Sequence, residues 1–284
     1  MMAAPIGSVN VNRLLNTIEK NRSGLKNSVD KIASGRRLNS AGTDAAAASI
    51  SARLRSDIAA LSQATRNVSA GNNFIRTAEG GLASIGDLVA RGRELAARAT
   101  NGIINDEQRQ TLNLEFTQIK NEIDRLSGSL EFNGQKLLDG SLAADSQTQI
   151  DIQAGTGNGP DNQINLNVVD SVTTESLNIA DSNIATAEAA IQAFEDLGRA
   201  QSQVITARGE VGAVGNRLLT ASNTLGIEIE NLTASESALA DTDLAAEITT
   251  LSQGLLGFQT SIQSLANQLQ FESRSQGRLL DTLG

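Results

Sequence analysis

Apolar residues recur near the start of the chain in alternating steps of four and three. They fall at Val11, Leu15, Ile18, Leu25, Val29 and Ile32, and Arg22 fills the one place where the rhythm meets a polar residue. This is the seam of a coiled coil, sustained for roughly three heptads. The same rhythm returns without interruption near the other end, at Leu244, Ile248, Leu251, Leu255, Phe258, Ile262, Leu265 and Leu269.

Between the two seams the pattern predicts further helices. After a linker, "SGRRLNSAGTD", Thr43 or Asp44 can cap a helix that reaches about Thr100. Its stripe drifts through Leu54, Ile58, Leu61, Val68, Ile75, Leu82, Ile85, Val89 and Ala96, and its length is roughly 80 Å at 1.5 Å per residue. Asn101-Gly102 breaks it. A third helix runs from Asp106 to Leu130 on Leu112, Phe116, Ile119, Ile123, Leu126 and Leu130. After Phe132 the period falls to two. "QTQIDIQAG" and "NQINLNVV" predict two strands around the turn cluster "GTGNGPD", with Pro160 in the loop. Helical periodicity resumes from about Ser182 to Leu232, and "TASESALADTD" is expected to be a second linker.

The expected fold is mainly α: a long antiparallel helical rod bundle with a small β-hairpin region, plus a terminal coiled coil formed by the two ends. Residues 1–43 and 240–284 make the coiled-coil domain. Residues 44–239 make the rod, with the hairpin region at about 132–181. The stretch 141–181 is expected to lie outside the core, so that its deletion leaves assembly intact. Charge favours pairing of the ends. Residues 1–40 carry a net +5 and residues 241–284 a net −3, a weak attraction that biases partner choice.

One partner helix does not account for the segment from Ile248 to Phe271, which contains no charged residue. Exposed faces of soluble coiled coils normally carry Glu and Lys. Here they carry Gln259, Gln263, Asn267, Gln268 and Gln270. Neutral amides tolerate partial burial because they both donate and accept. The expectation is a helix surrounded by copies of itself or its partner, in an open-ended assembly. The ends are expected to be disordered in the monomer and helical in the polymer, because seam burial within one chain is small beside the entropy of ordering both tails.

Composition narrows the chemistry. Apolar residues make up 39% of the 284 positions but aromatics only 2%, which suits helix seams better than a thick globular interior. Histidine, cysteine and tyrosine are absent, removing the usual general base, thiolate chemistry and the commonest metal ligands. No GxxxxGK[ST], HExxH or GxSxG motif occurs. The carboxylates of Glu115, Glu122 and Asp124 read as solvated helix charges, and "GTGNGPDN" reads as a turn, not a calcium loop. No catalytic residue, metal site or cofactor is expected, and the chain is not expected to be an enzyme. The net charge of −9 argues against a nucleic-acid partner. No run of about 18 apolar residues predicts membrane insertion. The start, "MMAAPIGSVNVNRLLN", lacks the layout of a cleaved secretory signal.

Several long motifs resemble those of bacterial flagellins. "IASGRRLNSAGTDAAAASISARLRSDI", "AEGGLASIGDLVARGRELAARATNG" and "NEIDRLSGSLEFNGQKLLDG" are similar to the family's amino-terminal half. "ALADTDLAAEITTLSQ" and "SIQSLANQLQ" are similar to its carboxyl-terminal half. With only residues 141–181 between the halves, the chain resembles a minimal flagellin that lacks large outer domains. The resemblance implies a structural subunit that polymerises through its terminal helices into the helical propeller of a flagellum, a filament used for motility. It implies export through the flagellar type III apparatus to an extracellular filament. Implied partners are further copies of the chain, an export chaperone, and the filament cap and hook–filament junction proteins. A junction protein of the same fold family is the alternative, against which "FNGQKLLDG" and the uncharged last helix count. The positions that match the family's contact motif for a host Toll-like receptor are Arg91, Leu95 and Glu115, although Ala90 stands where the motif has Gln. The linker also departs from the family pattern, at Gly42-Thr43 and Ala47-Ala48. The tail past Leu269 is longer than usual and carries Glu272, Arg274, Arg278 and Asp281.

Overall fold

The structure, a computed structural model, describes residues 6–39, 42 and 44–281. The side chains of residues 6–9 and 275–281 lie outside that description, as do Pro5 and Thr43. The elements are α1 (Ile6–Ser34), α2 (Ala45–Ala99), α3 (Asp106–Ser129), β1 (Glu131–Phe132), β2 (Gln135–Lys136), β3 (Asp151–Gln153), a 3-10 turn (Pro160–Asn162), β4 (Gln163–Asn165), α4 (Ala187–Ala240) and α5 (Leu244–Asp281). Side-chain caps start the helices by satisfying amides that have no partner in the first turn. Asp44 Oδ1 accepts from Ala47 N at 3.0 Å. Asn105 and Gln108 cap α3 reciprocally. Asp243 Oδ1 accepts from Ala245 N and Ala246 N.

The chain divides into two compact units, Asp57–Asn231 and the residues on either side of it. The division falls within α2 and α4, whereas the boundaries read from the sequence follow the connections at 43/44 and 239/240. In the central unit α2 runs antiparallel to both α3 and α4. A Cβ at Gly71 would sit 3.4 Å from Leu218, one at Gly86 3.5 Å from Val204, and one at Gly92 3.3 Å from Phe116. The core is filled by two interleaved heptad series on α4: Ala193, Ala200, Ala207 and Val214, and Leu197, Val204, Val211, Leu218 and Leu225. They meet Leu61, Val68, Ile75, Leu82, Ile85 and Val89 of α2.

Two expectations are corrected here. The stretch 141–181 does not lie outside the core: Leu142, Ile164, Leu166, Val169, Val172, Leu177 and Ile179 are all buried. Hydrogen bonds hold it down. Lys120 Nζ donates to the Ala180 and Ser182 carbonyls at 2.6 and 2.7 Å. Asp124 accepts from Thr174 N and Thr174 Oγ1, both at 2.8 Å. Burial lowers the Lys120 ammonium pKa below its usual value, against the opposing pull of Asp181 and Asp124. Its place between the two family-like halves predicts that the stretch lies outside, yet seven of its apolar residues are buried.

The second correction is that "TASESALA" belongs to α4, which continues to Ala240. It contains no Gly or Pro to stop a helix, and Glu236 is tied down by Ser51 and Arg55. The break comes only at Asp241–Asp243.

The strands match the predicted pair but are short. β3 and β4 are antiparallel, with Asp151↔Asn165, Ile152↔Ile164 and Gln153↔Gln163 in register. β1 and β2 form a further hairpin that the alternation reading passed over. Its signal was the Asn133-Gly134 pair. Both residues take positive φ, 51° and 79°, as a two-residue turn of the primed type requires. Phe132 then reaches Phe74 edge to face, with centroids 5.8 Å apart.

Candidate functional site: the terminal helix pair

In the terminal unit α1 and α5 pack antiparallel. Lys31 Nζ meets Glu247 Oε2 at 3.5 Å, Leu25 lies against Gly254, and Asn21 Nδ2 donates to Ser261 Oγ at 3.2 Å. The half-buried line on α1 is Val11, Leu14, Ile18, Asn21 and Leu25, followed by buried Ser28 and half-buried Ile32. On α5 it is Glu247, Leu251, Gly254, Phe258, Ser261, Leu265 and Gln268. Both lines keep the four-three rhythm, yet along α5, and along α1 from Ile18 onward, large apolar residues alternate with small or polar ones. A Cβ at Gly254 would come 3.1 Å from Leu25 Cδ2, so this glycine permits the close approach of the two helices.

Of the fourteen seam positions read from the sequence, seven face the partner helix: Val11, Ile18, Leu25, Ile32, Leu251, Phe258 and Leu265. The other seven do not. Leu15, Val29, Leu244, Ile248, Leu255, Ile262 and Leu269 remain 45–52% exposed. The physical reason is that α5 carries two apolar lines, and a single partner covers one. Reading large apolar residues alone merged the lines, took Leu15 in place of its neighbour Leu14, and missed Asn21, Ser28, Gly254 and Ser261. The signal available was the small residues recurring at heptad spacing. Gln259, Gln263, Asn267 and Gln270 flank the uncovered line and are exposed. The side chains of Arg278 and Asp281 lie outside the described residues.

The Asn21–Ser261 hydrogen bond is the polar layer of this seam. Polar pairs at such positions specify register at some cost in stability. Asn21→Leu is therefore expected to stabilise the pair slightly, by about 1 kcal/mol or less, while loosening its register. Spin labels on the outer faces of α1 and α5 check this: one distance in the parent, several in the variant.

The three positions suggested for receptor contact belong to the central unit and separate into two kinds. Arg91 Nη2 and Glu115 Oε1 form an ion pair at 2.8 Å, and Arg91 Nη1 meets Glu94 Oε2 at 2.8 Å. The hydrogen bonds that Arg91 donates to Glu115 and then to Glu94 raise its pKa above the usual value. Leu95 is 0% exposed and belongs to the core. Leu95→Ala is expected to cost about 2–5 kcal/mol in urea unfolding, whereas Arg91→Ala, which breaks only exposed ion pairs, is expected to leave the unfolding midpoint close to the parent's.

Among the described residues no three His, Cys, Asp or Glu side chains are placed to hold a metal ion, and no helix is long and apolar enough to cross a membrane. What the terminal pair offers is exposed apolar surface. The family model for the bacterial flagellin N-terminal helical region matches residues 8–143, and that for the C-terminal helical region matches residues 194–276. The flagellar filament 30.7 kDa core protein of Treponema maltophilum is 34% identical over 269 residues, covering 92% of this chain and 93% of the relative. The chain belongs to the bacterial flagellin family. The flagellin of Bacillus subtilis strain 168 is 33% identical, covering 89% of this flagellin and 91% of its relative. The structure of a putative flagellar hook-associated protein from Vibrio parahaemolyticus is similar with a TM-score of 0.56 over 70% of this flagellin and all of that chain. At 12% identity that likeness reflects the fold alone.

Proposed function

We propose that this flagellin is a structural, non-enzymatic subunit of an extracellular flagellar filament, and that the uncovered apolar line on the α1–α5 pair is the surface on which copies pack. The observation that carries this reading is a helix with two apolar lines and no charge from Ile248 to Phe271, of which its own chain covers only one. Exposed Leu and Ile at heptad spacing, flanked by neutral amides, suit burial among identical helices. The relatives' names, flagellin and flagellar filament core protein, point the same way.

Export through the type III apparatus, a chaperone on the α5 segment, and cap and junction partners follow from this reading. Recognition by a Toll-like receptor rests on Arg91 and Glu115, since Leu95 is buried in the isolated subunit. Charge reversal of both, scored for receptor activation in protein that still assembles, tests that part.

Electron microscopy of purified protein added to filament seeds tests the whole. Long filaments are expected. Short rings or unextended seeds would favour a junction role and overturn the reading.

A further inference from the structure

The two connections that lead into the terminal helices are joined to each other. Gly35 turns the chain out of α1 at φ +67°. Arg36 then pairs antiparallel with Asp241. Arg37 N donates to the Ala240 carbonyl at 2.7 Å, and Thr242 N donates to the Gly35 carbonyl at 3.0 Å. The Arg37 guanidinium also donates to the Leu239 carbonyl at 2.6 Å, satisfying the end of α4.

A carboxylate gathers the same segments. Glu236 Oε1 accepts from Arg55 Nε at 2.7 Å, from Ser51 Oγ at 2.8 Å and from Arg36 Nη2 at 3.1 Å. Ser51 is buried. Burial pushes the Glu236 carboxyl up, but the hydrogen bonds from Arg55 and Ser51 outweigh it and hold the group below the usual carboxylate range. One oxygen thus ties α2 and the α1–α2 connection to α4 within the terminal unit.

None of these groups belongs to the seam between α1 and α5, but their position matters to it. Arg36 and Glu236 are 200 residues apart in sequence. Bringing such distant segments together carries an entropy cost that grows with the logarithm of the loop. Once Gly35 and Thr242 are joined, α1 and α5 start from one point, in one register. Lys31 with Glu247, Leu25 with Gly254 and Asn21 with Ser261 then follow in order along both helices.

We propose that the Glu236 cluster and the Arg36–Asp241 bridge form a latch that nucleates the terminal pair and sets its register. Pairing begins at the latch and zips outward toward Val11 and Gln268. The latch concentrates α1 against α5, as a short linker does for two binding modules. This goes beyond the filament reading and depends on it only for the consequence in assembly.

The chain has no cysteine, so a disulfide can replace the latch cleanly. Residues bridged across an antiparallel pair lie within disulfide reach. In a chain carrying Glu236→Gln, Arg36→Cys and Asp241→Cys, the oxidised form is expected to exchange amide hydrogens in α1 and α5 at least about tenfold more slowly than the reduced form. Protection over 57–231 is expected to be equal in both. Closure that slows neither helix, or only the residues beside the disulfide, overturns the latch. In the same material, oxidation is expected to speed elongation of filament seeds. Exchange that responds while elongation does not would leave the latch standing and remove the terminal pair from the assembly reading.

Discussion

Replacing Leu255 and Ile262 together by aspartate is expected to leave a folded flagellin that forms no filaments. Both side chains are about half exposed in the isolated subunit, at 46% and 45%. A carboxylate there stays in water, and the change in stability of the subunit is within about 1 kcal/mol. The proposed filament changes the environment. Each aspartate would be enclosed by neighbouring helices with no cation on this stretch of α5 to pair with it. An unpaired charge in such a place costs several kcal/mol. At 1.4 kcal/mol per factor of ten, a cost of about 3–5 kcal/mol per subunit raises the critical concentration by roughly a hundredfold to a few thousandfold. Sedimentation of seeded protein over a concentration series measures this. Circular dichroism separates it from unfolding. The paired variant Leu251→Asp, Leu265→Asp strikes the covered line instead, and is expected to lose helix in α1 and α5 as well as assembly. Filaments formed by the Leu255, Ile262 variant at the parent's concentration would show that the uncovered line is not the contact.

Deletion of residues 141–181 is expected to destroy cooperative unfolding of the central unit. Seven buried apolar side chains leave with the segment, each worth about 1.5–3 kcal/mol of burial, which is an upper bound because unfolded chains are partly compact. That sum is comparable to the whole stability of an ordinary domain, about 5–15 kcal/mol. The deletion also strands the Asp124 side chain, whose partner Thr174 is in the segment, and removes one of the two carbonyls that Lys120 donates to. A control shows that length is not at issue. Ala154–Asn162 contains no buried residue. Replacing it by Asn-Gly keeps the Gln153–Gln163 pair and supplies a favoured hairpin turn. That variant is expected to melt within a few degrees of the parent, while the full deletion gives a broad, non-cooperative transition. Scanning calorimetry distinguishes the two. A sharp parent-like transition in the full deletion would return 141–181 to the surface.

The helices were legible from the chain because their evidence is local. Periodicity placed α1, α2, α3 and α5, and Asp44, Asn105 and Asp243 are the kinds of residue that start helices wherever they occur. The two alternating stretches marked β3 and β4 for the same reason. The uncharged run from Ile248 to Phe271 was equally visible, since an absence of charge needs no fold to be seen.

Tertiary structure decided what local pattern leaves open. An apolar heptad shows that a helix has a partner but not which of two adjacent lines the partner takes. Shape settled that: Gly254 lets Leu25 approach, and Asn21 meets Ser261, so the covered line includes the small residues and leaves Leu255 and Ile262 outside. The burial of Val172 and Leu177, which lie outside the two predicted strands, depends on α3 and α4 arriving beside them. The Glu236 cluster joins residues as far as 200 positions apart, and no window along the chain contains both sides of it. Sequence determined where the chain is helical and where it avoids charge, because those are properties of neighbours in the chain. Which surfaces are covered is a property of neighbours in space.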